Sequence, residues 1–154
     1  MRQRFRIFAV AATISAFALV LSFVSVSSAG PGVTRIHVIE HAITDVVVDI
    51  DPVGDSTGDL LTFHNELFDA DNVAVVGTDQ GDCIRIEVGV SWECRWINFL
   101  EDGSITVEGP FLDAGPSTLA VTGGTGAYRD AAGTMRLVSN ADGTEIDFIF
   151  KLVG

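Results

Sequence analysis

Two polar side chains lie in apolar company. Asn65 is flanked by the apolar residues of LLTFHNELF (Leu60 to Phe68), and Glu40 ends the run TRIHVIE (Thr34 to Glu40). An amide in such a strand can orient a bound oxygen or a water; bonded to backbone, it is an ordinary inward amide. A glutamate in an apolar pocket has a raised pKa suited to proton transfer, whereas on a solvated strand it has no such role. Arg85 or Glu87, if turned inward, would form a charged pair or read a carboxylate; turned outward, they belong to a hairpin surface. The three histidines show no serine or aspartate partnership. With only two cysteines, they also make no ligand cluster, so no metal is expected. Asp69, Asp71 and Asn72 lack the full spacing of a calcium loop and read as a turn.

VTGGTGAY (Val121 to Tyr128) has three glycines within four residues. A dinucleotide loop needs a following helix whose N-terminus faces the pyrophosphate. Here Ala127 to Ala132 is too short for one, and GTMRL (Gly133 to Leu137) already reads as strand. A Walker-type loop needs Lys and then Ser or Thr after the glycines, and neither is present. The run reads as a bend between strands, where glycine permits positive φ and close backbone approach.

The elements that position these residues are short. No segment sustains a 3.6-residue apolar period, and apolar runs alternate with Gly, Asp, Asn and Pro, which predicts an all-β domain. Strands are expected at Thr34 to Glu40, Asp45 to Ile50, Leu60 to Phe68, Val73 to Thr78, 82–87, 90–99, Ser104 to Gly109, Leu119 to Thr122, Gly133 to Val138 and Thr144 to Leu152. Such a series fits a closed barrel or a sandwich. Alternation puts Leu61, Phe63, Asn65 and Leu67 on one face and Thr62, His64 and Glu66 on the other. Likewise Trp92, Cys94, Trp96 and Asn98 share a face, and so do Cys83, Arg85 and Glu87.

The first 29 residues have the layout of a secretory signal peptide. Arg2, Arg4 and Arg6 precede an uncharged, mostly apolar run from Ile7 to Val26, and Ser27, Ser28 and Ala29 follow. That run is also long enough to span a bilayer as an uncleaved anchor. Cleavage after Ala29 would leave a single domain, 30–154, secreted and free of the membrane. Of 9 basic residues three fall in the leader, leaving 6 against 21 acidic ones, a formal charge of −15. So acidic a chain repels nucleic acid. In an oxidising compartment Cys83 and Cys94 read as a disulfide, since a hairpin turning at Val88 and Gly89 sets them directly opposite each other.

LAVTGGTGAY (Leu119 to Tyr128) with Ala131, Ala132 and Gly133 resembles the glycine-rich signature of dirigent proteins and allene oxide cyclases. GDLLTFHNELF (Gly58 to Phe68), VGTDQGDC (Val76 to Cys83) and SITVEGPFL (Ser104 to Leu112) resemble the same superfamily, in the same order. The resemblance implies an eight-stranded antiparallel β-barrel, often a homotrimer, with an elongated apolar cavity and no metal or organic cofactor. It implies cyclisation of an unstable intermediate, or guided coupling of intermediates made by a separate oxidase. A non-catalytic lipid or metabolite carrier, or a structural barrel packed shut, are the other readings of the same fold. By position, Leu61, Phe63, Asn65, Cys83, Trp92 and Phe111 match cavity residues of the cyclase, and Glu40 its assisting glutamate. Ala42 stands where that family has a water-holding asparagine, and the family's serine-proline pair has no clear counterpart here. Phe63, Trp92, Trp96 and Phe111 would give an apolar small molecule its dry walls.

Overall fold

The computed structural model describes residues 32–153; the expected leader lies outside them. Ten strands follow in order: β1 (Val33–His41), β2 (Val46–Val48), β3 (Leu60–Phe63), β4 (Glu66–Phe68), β5 (Val75–Glu87), β6 (Ser91–Leu100), β7 (Gly103–Leu112), β8 (Ser117–Gly124), β9 (Ala132–Ser139) and β10 (Glu145–Val153). All pair antiparallel. β1 and β2 form one course interrupted at 42–45, and β3 and β4 form another interrupted at His64 and Asn65. The sheet runs from β5 through β4, β1, β10, β9, β8 and β7 to β6, and β6 pairs back onto β5. The result is a closed eight-stranded barrel, with no free edge along that ring.

Period-two alternation fills its inside. β10 turns Ile146, Phe148, Phe150 and Leu152 inward, and β6 turns Trp92, Cys94, Trp96 and Asn98 inward; all eight are buried. The outer face of the β5–β6 hairpin is apolar too, with Ile84 and Ile86 about half exposed. The hairpin turns at Val88 and Gly89, where Val90 N–H donates to Glu87 O at 3.0 Å.

Several expected strand boundaries change. Leu60 to Phe68 is split by the His64–Asn65 break, and Asp45 to Ile50, the strand before it, shortens to Val46–Val48. Val73 to Thr78 and 82–87 are instead one strand, β5. Gly81, in the gap left between the two expected strands, is an approach point: a Cβ there would overlap Trp96 Cβ and the Arg95 carbonyl across the ladder. The glycine run ends β8 and enters a single 3-10 turn, Gly126–Tyr128, before β9. Gly126 has φ +59°, and a side chain there would strike the Asp102 carbonyl. The run is a bend.

Candidate functional site

The site begins at the paired interruptions. His41 pairs with Glu66 below them and Val46 with Thr62 above, so the two breaks lie side by side in the barrel wall. Asn65 stitches them together. Its Nδ2 donates to Glu40 Oε1 at 2.8 Å and to Asp45 Oδ1 at 2.9 Å. Its Oδ1 accepts from Ile43 N–H at 3.1 Å, and from the Thr44 N–H and hydroxyl, both at 3.0 Å. Both amide protons and both lone-pair directions are thereby used. Asn65 therefore ties Glu40 to the break, and no donor or acceptor of its amide is left over for a guest.

Glu40 projects inward from β1 and is 4% exposed. Beside it stands Asp79 of β5, fully buried, whose Oδ1 accepts the Asn65 backbone N–H at 3.1 Å. The two carboxyls are within hydrogen-bonding reach of each other. Burial pushes Glu40 well above the ordinary carboxyl range, and a charge on Asp79 or Asp45 would push it further. Burial also raises Asp79, to about 7. Two dry carboxyls in contact favour keeping at least one proton between them. Because both are raised on folding, their contribution to stability is full below the unfolded values near 4. It is lost as pH rises, for Asp79 through about 7.

Above Glu40 is a cavity of about 40 Å³, lined by Leu61, Phe63, Cys83, Cys94, Trp96, Phe111, Leu137, Ile146 and Phe148, with Glu40 and Asp45 as its polar members. The exposed Asp45 is part of this lining, so the cavity meets the surface at the break in the wall. Phe63 and Trp96 meet edge to face at 5.8 Å, and Trp96 tilts against Phe148 at 5.5 Å. These rings fill much of the barrel. The space left suits one or two waters, unlike the elongated cavity that the resemblance implies.

Leu61, Phe63, Cys83, Trp96 and Phe111, taken from the sequence as wall residues, all lie in this lining. Arg85 and Trp92 do not. They form the next inward layer toward the barrel end and line a separate outer cleft with Asp49, Asp55 and Asp59. The Arg85 guanidinium lies 4.1 Å over the Trp92 ring and donates to Asp55 at 2.7 and 3.0 Å and to Asp113 at 2.6 and 2.8 Å. Arg85 is thus an inward charge already neutralised by two loops, not a free reader of carboxylates. Glu87 is exposed, displaced by a register shift after Arg85.

Cys83 and Cys94 are directly opposite and bridged, 11 residues apart. Closing so short a loop lowers the entropy of the unfolded chain by an amount worth about 3 kcal/mol. A Cys83→Ala/Cys94→Ala double variant is therefore expected to lose about that much unfolding free energy in urea titration. A loss below about 0.5 kcal/mol would mean that the bridge is decorative.

Asp79, Asp45 and Asn98 are site residues that the sequence reading did not single out. Reading 75–87 as one strand puts Asp79 in phase with Cys83 and Arg85, on the inner face. Three solved structures share the barrel. A pyocyanin demethylase is 23% identical, with a TM-score of 0.68 over 77% of this chain and 99% of its own. An exo-specific intermolecular Diels-Alderase, AbnU, is 19% identical, with a TM-score of 0.65 over 80% of this chain and 99% of its own. A pterocarpan synthase dirigent protein is 18% identical, with a TM-score of 0.62 over 82% of this chain and 87% of its own. At such identities the likeness speaks for the fold alone. Residues 39–150, most of the barrel and all of the cavity wall, match the allene oxide cyclase barrel-like domain, and the chain belongs to that family.

Proposed function

We propose that this chain is a small-molecule barrel that steers the cyclisation or rearrangement of a compact, largely apolar substrate, with Glu40 as the proton-handling group. The observation that carries the reading is a buried carboxyl in the wall of a mostly apolar cavity, where burial favours its neutral form. A neutral acid there can protonate a bound substrate without first being desolvated. The resulting carboxylate keeps its hydrogen bond from Asn65 Nδ2. It can then take a proton from a second substrate atom, so the net change is an isomerisation and Glu40 returns to its acid form. The aromatic wall contributes orientation and exclusion of water.

A ring-sized guest needs more room than the cavity offers, and the side chains to yield are the half-buried ones at the rim, Leu61, Phe63 and Phe111. Phe111→Ala is expected to raise affinity for toluene, used as an apolar probe, at least 10-fold. The accompanying stability loss is about 1–2 kcal/mol, since the ring is only partly buried. An unchanged affinity would count against a guest site at this position. Export through the leader belongs to the same proposal, as does assembly as a homotrimer through the outer apolar face that includes Val48, Ile84 and Ile86.

The direct test is mass spectrometry of small molecules extracted from protein purified from its native host. One apolar species retained near one per chain supports the reading. An empty protein with no affinity for toluene, even as Phe111→Ala, contradicts it.

A further inference from the structure

Behind the cavity lies a second polar layer that the proposed reaction does not use. Asp79 of β5 and Asn98 of β6 are directly opposite in register, and both are wholly buried on the inner face. Asp79 Oδ1 is held by the Asn65 N–H, and Asn98 Nδ2 donates to the Ile105 carbonyl at 3.2 Å. That leaves Asp79 Oδ2 and Asn98 Oδ1, two acceptors with no protein donor and no contact with solvent. Leaving two such oxygens unsatisfied is costly in a dry interior. One proton removes the problem, because a carboxylic acid is a donor where a carboxylate is only an acceptor.

We propose that Asn98 is a positioning residue for the carboxyl pair: its amide oxygen receives a proton carried on Asp79 Oδ2, keeping Asp79 uncharged while Glu40 exchanges protons with the cavity. The other ionisable groups acting on Asp79 are Glu40 from β1 and Asp45 from the 42–45 break, both acidic. The Asp45 charge favours the neutral form, the hydrogen bond with Glu40 favours the ionised one, and among the described residues no basic side chain is one of these groups. Their charges give the arrangement a use. A neutral Asp79 does not repel the carboxylate that Glu40 becomes when it delivers its proton, so Glu40 can act alone.

The inference builds on the proton-handling pair but not on any ligand, and it is tested on the unliganded protein. ¹³C-detected NMR titration of the Asp79 carboxyl should show a midpoint far above that of a free aspartate. In Asn98→Leu, which removes the acceptor but keeps the volume, the midpoint should fall by about one unit, the weight of one hydrogen bond. Asp79→Asn supplies an amide donor where the proton stood. It should fold at least as stably as the parent at pH 8, with a weaker dependence of stability on pH. This second variant keeps the test open should Asn98→Leu fail to fold. An Asp79 midpoint near 4, an Asn98→Leu midpoint equal to the parent's, or an Asp79→Asn protein less stable than the parent at pH 8 would each overturn the proposal. Absence of a ligand or of turnover would bear only on the cavity reading.

Discussion

Asn65→Ala is expected to lower the unfolding free energy by about 3 kcal/mol, one of the largest losses available to a single side chain here. The amide makes five hydrogen bonds, but they do not count equally. Ile43, Thr44 and Asp45 are exposed, so water can replace what they lose. Glu40 cannot be rehydrated so easily, and its Oε1 would be left without the donor at 2.8 Å. The two interrupted courses would also lose the side chain that ties them together. Asn65→Asp separates these causes. It keeps the acceptor for Ile43 and Thr44 but sets a third carboxyl against Glu40 and Asp45. Its stability should recover as pH falls and the carboxyls take up protons, whereas the Asn65→Ala defect should persist in acid. Urea unfolding at pH 8 and pH 5 distinguishes the two.

Glu40→Gln is expected to have the largest effect on turnover. Glutamine copies the shape of a neutral glutamic acid but has no transferable proton. With a substrate identified by extraction, the rate should fall by about 10²- to 10⁴-fold, the usual weight of general acid–base catalysis. Substrate affinity should change little. Stability should move the other way. Glu40 ionises freely in the unfolded chain but is held neutral in the barrel, so the parent loses stability as pH rises from the unfolded value toward the raised folded one. Glutamine removes that linkage, and thermal unfolding at pH 8 should shift upward. A variant that is slower and more stable identifies a residue kept for chemistry. Unchanged turnover would instead show that Glu40 is not the proton-handling group.

The barrel was legible in the sequence because its signals are local. Alternation placed Leu61, Phe63, Asn65 and Leu67 on one face, and those positions are buried or half-buried while Thr62, His64 and Glu66 are exposed. The opposition of Cys83 and Cys94 followed from a two-residue turn, and the ladder has that register. The polar pair was only half legible. Glu40 sits at the end of an apolar run and attracts notice; Asp79 sits in VGTDQGDC, where glycines and acids together resemble a loop. Those glycines mark contacts with β6 across the ladder, which no local pattern discloses. Alternation put Arg85 on the face of Cys83 and left its direction open, because its partners Asp55 and Asp113 arrive from loops 30 and 28 residues away. The size of the cavity was the least legible of all, because it depends on how Trp96, Phe63 and Phe148 pack together.

The most direct measurement of the proton-handling site is a ¹³C NMR titration of the Glu40 carboxyl carbon, assigned by its loss in Glu40→Gln. The carbon should keep its neutral-acid position well past the pH at which a free glutamate ionises. A midpoint near the ordinary 4.5 would mean that Glu40 is already a solvated carboxylate, and that the barrel holds no acid with which to work.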